Sequence, residues 1–332
     1  MDADSLPTPQ QIPSVMPASP IRKVFFGRDG LRAGWKFLIF VMLWLACATA
    51  IRLGFRQISP LRQILQQAQS GTLTPTFELI FEPAAIAGLF LVTFVMAIID
   101  RRSIWSYGLP LKGAFGKLFW QGVIWGLAME SVEMFAIYAL HGFSFGSLAL
   151  SGFTLVKYAG MWAFVFILVG VFEEFSFRGY AQFTLARGIG FWPSAILLSA
   201  LFGAVHLGNA GEGWIGAFQV LIFGLFACFT LRRTGSLWFA IGLHAAGDYA
   251  ETFIFSVPDS GMKATGHLLN SSFHGPRWLT GGTIGPEGSV LDFVVFLIAF
   301  AIFAWLYPAG KTEMPEALMP KGPVLQPPVP IS

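Results

Sequence analysis

Charge is scarce in this chain. Asp, Glu, Lys and Arg make up 12% of its 332 residues, about half the roughly 25% of a soluble domain. With 55% hydrophobic residues and a mean hydropathy of +0.65, that shortage excludes a solvated globular surface and implies a polytopic membrane protein. Cysteine is nearly missing too. Cys47 and Cys228 both lie in apolar runs, which excludes a C-x-x-C metal or redox site and argues against a structural disulfide. Positive charge is in small excess, a net +3, and is spread along the flanks of the apolar runs, so no nucleic-acid partner is expected. Residues 1–20 lack the apolar core of a cleavable signal peptide, and the first span is expected to act as the targeting signal. No internal repeat of fixed period is visible.

What the chain does contain is long apolar runs and aromatics. The aromatic fraction is 16%, mostly Phe, with 11 Trp, as suits side chains facing lipid and its interfaces. Residues 1–22 carry Pro7, Pro9, Pro13, Pro17 and Pro20 and are expected to be a disordered tail, as is the Pro-rich stretch 308–332. Residues 23–307 form the transmembrane domain. Within it, apolar runs at about 35–54, 83–99, 119–140, 160–184, 191–208, 214–231, 236–256 and 290–307 each approach the ~20 residues that span a bilayer as a helix. The expected fold is therefore an all-α bundle of eight spans. Basic residues cluster before the first run (Arg22, Lys23, Arg28, Arg32, Lys36) and in alternate loops (Arg101, Arg102, Lys112, Lys117; Arg187; Arg232, Arg233; Lys311, Lys321), which predicts that both termini are cytoplasmic. Arg56 and Arg62, on the opposite side, weaken that vote without reversing it. The 257–289 connection, rich in Gly and with Pro286, is long enough to be a lid or binding element rather than a plain connector.

Four polar positions fall inside spans: the Glu173, Glu174 and Arg178 group, His206, His244 and Asp248. Ionisable groups in hydrocarbon are unfavourable by about 2.5–3.5 kcal/mol each and mark function by default. On a helix Arg178 lies about 40° around from Glu174 but about 140° from Glu173, so the i,i+4 pair is Glu174 with Arg178. Glu173 is left as a lone carboxylate, the candidate general base. His244 and Asp248 are also i,i+4; the carboxylate can fix the imidazole tautomer, or both groups can face one water, metal or oxyanion. His206 ends its span in Leu201-Phe-Gly-Ala-Val-His206, where Gly203 and Ala204 allow close approach of a neighbouring helix. A bland reading stays open: each His as an interhelical hydrogen-bonder, and Glu174 with Arg178 as a structural ion pair only. Glu130 and Glu133 either line the same cavity or move protons. His141, His267, His274 and Asp292, at span edges or in loops, are explained by ordinary solvation.

The ordered set Glu173-Glu174-x-x-x-Arg178, Phe202-x-x-x-His206 and His244-x-x-x-Asp248 resembles the CPBP family of intramembrane proteases, which includes CAAX prenyl endopeptidases of the Rce1 type and bacterial members linked to bacteriocin self-immunity. Two lesser echoes are Asp100-Arg-Arg-Ser-Ile-Trp-Ser-Tyr-Gly-Leu109 and Thr234-Gly-Ser-Leu-Trp238. The likeness covers about residues 100–256. It implies an eight-helix bundle in a bacterial cytoplasmic (inner) membrane, with a conical cavity facing the cytosol, and a membrane-associated peptide or protein as substrate. In it Glu173 would activate water with help from His206, while His244 and residue 248 would hold the oxyanion. The family is often labelled metalloprotease, and Glu173, His206, His244 and Asp248 are a plausible Zn²⁺ set; a metal-free glutamate mechanism is the preferred alternative, with no cofactor certain. Asp248 departs from the Asn common at that position: an amide can donate to an oxyanion, whereas an ionised carboxylate repels it. Helix geometry places His206 about 9 Å in depth from Glu173, so a short or steeply tilted helix is required. The other classes to weigh are a non-catalytic immunity or secretion-accessory protein on the same scaffold, and a small proton-coupled transporter.

Overall fold

The computed structural model describes residues 24–27, 30–68 and 72–309; the tail expected at 1–22, and all but the first two residues of the tail expected at 308–332, lie outside them. The apolar runs all become helix. In chain order these are α1 (Ala33–Gln57), α2 (Ser59–Ala68), α3 (Pro75–Asp100), α4 (Lys117–Ala139), α5 (Gly152–Arg178), α6 (Tyr180–Ile189), α7 (Phe191–His206), α8 (Trp214–Thr234), α9 (Trp238–Tyr249) and α10 (Val290–Leu306). Among the described residues five helical segments are long and apolar enough to cross a membrane, with α7 and α10 as shorter apolar helices. Large side chains such as Leu91, Phe94, Ile98, Ile124, Leu297 and Trp305 are exposed on their flanks, as an integral membrane bundle requires. The protein is an all-α membrane helix bundle.

Local chemistry sets the helix boundaries. Thr74 caps α3 by accepting from the Phe77 amide, with Pro75 at the first helical position, where its missing N–H is harmless. The helix thus begins eight residues before the apolar run and carries Glu78 and Glu82 into the bundle. The run at 160–184 starts earlier, at Gly152, and breaks at Gly179, where an added Cβ would stand 2.3 Å from the Phe175 carbonyl oxygen. The run at 236–256 divides into α9 and a π-helical turn, Ala250–Phe255. The amphipathic α2 is an element that the reading of apolar runs did not anticipate.

The bundle has two unlike ends. At the basic end Asp100, closing α3, pairs with Lys36 of α1 and accepts from the Tyr107 hydroxyl at 3.1 Å. Leu237 N donates to Gly108 O at 2.8 Å, and Trp238 Nε1 donates to Pro110 O at 3.0 Å. The two lesser motif echoes therefore meet each other as a clasp. At the opposite end the 257–289 connection is stitched down by pairs of two-residue strands: Lys263–Ala264 pairs in parallel with Thr72–Leu73, and Ser272–Phe273 pairs antiparallel with Phe143–Ser144.

Between the ends, α4 and α9 pack backbone against backbone. A Cβ at Gly122 would lie 2.1 Å from Phe239 O, one at Gly126 2.3 Å from Leu243 O, and one at Gly242 2.1 Å from Phe119 O. This is the small-residue packing that membrane helices use where lipid supplies no hydrophobic driving force. Gly203 of α7 likewise meets Ala217 O of α8 at 2.1 Å from its would-be Cβ, the close approach expected from Leu201-Phe-Gly-Ala-Val-His206.

Candidate active site

Three helices bring the polar residues together. α5 carries Glu173, Glu174 and Arg178, α7 ends on His206, and α9 presents His244 and Asp248. Glu174 and Arg178 are fully buried and pair at 3.4 Å, while the Glu173 side chain remains 24% exposed, so the two carboxylates divide as helix geometry predicted. Arg178 also stacks on the Phe202 ring, 4.3 Å from its centroid, and lies against Gly224, where a Cβ would stand 2.3 Å from Nη2. With the Phe177 ring 5.8 Å away as well, the buried guanidinium charge is held by one carboxylate and two π-faces.

Glu174 has a second role that the intrahelical spacing could not show. Its Oε1 lies 2.9 Å from His244 Nδ1, so Nδ1–H donates to it. That contact fixes the ring orientation and turns Nε2 toward the cavity. His206 is fixed in the same sense, because its Nδ1 lies 2.8 Å from the Phe202 carbonyl, an acceptor that requires the proton on Nδ1. The two Nε2 atoms converge on Glu173 Oε2, at 3.5 Å from His244 and 3.9 Å from His206. Asp248 Oδ2 is 3.5 Å from His244 Nε2. The depth difficulty for His206 is resolved by the shortness of α7, 16 residues.

These groups face a cavity of about 200 Å³ on the side of the 257–289 connection. Glu173, His206, His244 and Asp248 all line it, and so do residues that the motif reading missed: Glu78 and Glu82 from α3, Asn209, and Asp259 and Glu287 from the loop. Glu78 and Glu82 were legible as an i,i+4 carboxylate pair at the head of an apolar run; the boundary drawn at residue 83 hid them. Behind His244 and Asp248 lies a smaller chamber of about 60 Å³, lined by Glu130, Glu133, Gln219, Glu251 and Asp292. Glu130 and Glu133 therefore sit beside the main cavity, sharing its wall. Asp292, read from sequence as solvated, is 5% exposed and belongs to this inner chamber, because the first turn of α10, which carries it, packs against Glu133 and Gln219.

As a metal site, the donor chemistry of Glu173, His206, His244 and Asp248 is suitable. The three contacts between them measure 3.5–3.9 Å but run in a chain, and no three of these residues bring one ligand atom each within 4.8 Å of one another, so the donor types suit Zn²⁺ while the arrangement is more open than a tetrahedral ion with bonds of about 2.0–2.2 Å needs. Both Nδ1 atoms are engaged, with Phe202 O and Glu174 Oε1, and a metal-bound His commonly donates its other ring N–H in this way. The same arrangement suits a metal-free base flanked by two imidazoles, since Glu173 accepts a proton beside two Nε2 atoms that can each take one up.

Comparison with curated proteins and with solved structures gives no match. Residues 155–250, the segment carrying Glu173, His206, His244 and Asp248, match the family described as type II CAAX prenyl endopeptidase Rce1-like, the family that the three motifs resemble.

Proposed function

We propose that this integral membrane protein is an endopeptidase of the Rce1-like kind, hydrolysing a peptide bond of a membrane-associated substrate with water activated by Glu173. The observation that carries this reading is the convergence of two Nε2 atoms, each with its Nδ1 already committed, on Glu173, the most exposed carboxylate of the cluster. Glu173 takes a proton from water as its oxygen adds to the carbonyl carbon. With Nδ1–H given to Glu174, a proton on Nε2 makes His244 a donor to the developing oxyanion. Collapse breaks the C–N bond, and the proton held by Glu173 passes to the leaving amine; the hydroxyl stays with the acyl product. Because Glu174 orients His244, Asp248 is free to serve the oxyanion as a protonated acid or to bind a metal.

Glu173→Gln keeps shape and hydrogen bonding but removes the base. Purified Glu173→Gln protein is expected to lose about 10²–10⁴-fold in proteolysis with an unchanged thermal unfolding midpoint. Full cleavage by Glu173→Gln would remove the base assignment, whereas absence of cleavage by the parent would favour a non-catalytic scaffold. Comparing N-terminal peptides released from membranes that contain either protein identifies the substrate.

A second reading rests on the suitable donor set. If Zn²⁺ is bound, Glu173, His206, His244 and Asp248 hold it, and it supplies Lewis acidity and a more acidic bound water. Stoichiometric zinc in an active preparation, with loss on chelation and recovery on metal addition, would replace the metal-free mechanism.

Orientation follows from charge. Arg32, Lys36, Arg101, Arg102, Lys117, Arg232 and Arg233 flank the end opposite the cavity. With that basic end in the cytosol, the cavity opens toward the non-cytosolic side, which departs from the cytosolic opening that the family resemblance implies.

A further inference from the structure

The 257–289 connection leaves the bundle beside Glu251 and returns to it at Ser289, and its two ends bring Asp259 and Glu287 back against that same side chain. One ligand atom from each of Glu251, Asp259 and Glu287 lies within 4.8 Å of the others. The outer two are oriented by hydroxyls: Thr252 Oγ1 donates to Asp259 Oδ2 at 2.8 Å, and Ser260 Oγ donates to Glu287 Oε2 at 2.9 Å. Each therefore keeps its other carboxylate oxygen for something else.

An observation apart from the acidic clustering points to a ligand. Glu251 is 4% exposed, and its Oε1 has no hydrogen-bond partner among the described residues. A buried carboxylate oxygen without a donor is strongly unfavourable. That oxygen faces the gap between the loop ends, since a Cβ at Gly285 would stand 2.9 Å from it and 2.1 Å from the Pro258 carbonyl oxygen. Only glycine, with φ +110°, leaves this pocket of oxygens open.

Electrostatics agrees. Burial, together with Glu173, holds Asp259 up at about 6 although Thr252 and His244 pull it down. Burial, then Asp259 and Glu212, hold Glu287 well above the usual carboxylate range. Three carboxyl groups so placed need a compensating positive charge, and every ligand atom here is a hard oxygen.

We propose that Glu251, Asp259 and Glu287 form a binding site for a divalent, oxygen-preferring cation of the Ca²⁺, Mg²⁺ or Mn²⁺ class, which clamps both ends of the 257–289 connection to the end of α9. Asp259 and Glu287 also line the main cavity, so the ion fixes one wall of it. The site is separate from the Glu173, His206, His244 and Asp248 set and does not depend on catalysis.

The test uses the full chain in detergent, stripped by chelation and titrated with MnCl₂, free Mn²⁺ being read by electron paramagnetic resonance and unfolding by differential scanning fluorimetry. One saturable Mn²⁺ per chain is expected, displaced by Ca²⁺, with a rise in Tm at pH 7. Asp259→Asn and Glu287→Gln should each weaken binding at least tenfold, while Glu173→Gln and His244→Ala leave it intact. Absence of saturable binding overturns the proposal, and so does binding that survives the Asp259→Asn, Glu287→Gln double variant or is lost in His244→Ala. If the loop variants fail to fold, proteolysis of the parent decides: Mn²⁺ should protect the 257–289 connection from cleavage at least severalfold, and equal cleavage with and without Mn²⁺ overturns the proposal.

Discussion

At the scale of single residues, Glu174 carries more than its position on α5 suggests. It neutralises Arg178 one turn away and, through the same Oε1, holds His244 from a helix 70 residues distant. Breaking a buried ion pair leaves an uncompensated charge and is unfavourable by about 3–5 kcal/mol. Glu174→Ala and Arg178→Ala are each expected to destabilise the fold on that order. The double variant should be less unstable than the sum of the two, as read by a double-mutant cycle on unfolding in mild detergent; strict additivity would remove the ion pair. Glu174→Ala should in addition impair proteolysis more than Arg178→Ala at matched stability, because it alone frees the His244 ring. The i,i+4 pair and the freedom of Glu173 were legible in the sequence, since both follow from 100° per residue. The contact to His244 was not, because nothing local encodes which face of α9 meets α5.

At the scale of elements, the site depends on how closely helices approach. α9 holds His244 and Asp248, and Gly122 and Gly126 seat it against α4. Gly126→Leu would drive a side chain into the Leu243 carbonyl, 2.3 Å from the first added carbon, and backbone cannot yield as a side-chain tip can. Overpacking of about 1–3 kcal/mol is expected, together with a shift of His244 away from Glu173. Thermal unfolding and proteolysis should both fall for Gly126→Leu and stay near the parent for Gly160→Ala, whose Cβ meets nothing within 4 Å. Apolar runs located every long helix, but end chemistry moved their bounds. The Thr74 cap extended α3 to include Glu78 and Glu82, Gly179 cut the 38-residue segment Gly152–Ile189 in two, and the brevity of α7 brought His206 to the depth of Glu173.

At the scale of the whole molecule, the two ends differ in charge and in construction. Basic residues and the clasp between Asp100–Pro110 and Leu237–Trp238 mark one end; paired strands and the carboxylate-lined cavity mark the other. A cysteine at Lys263 should be labelled by a membrane-impermeant maleimide in intact cells, and one at Lys112 only after permeabilisation. The reverse pattern would put the cavity in the cytosol. The sequence by itself determined that this is a helical membrane protein, which apolar runs form its long helices, and which ionisable side chains are anomalous within them, because hydrophobicity and helical period are local properties. Only the tertiary structure decided that Glu174 orients His244, that Asp292 is buried beside Glu130 and Glu133, and that the two ends of one loop converge on Glu251. Each of these is a meeting of residues far apart in the chain, selected by how glycine-lined helices pack and not by any spacing along the sequence.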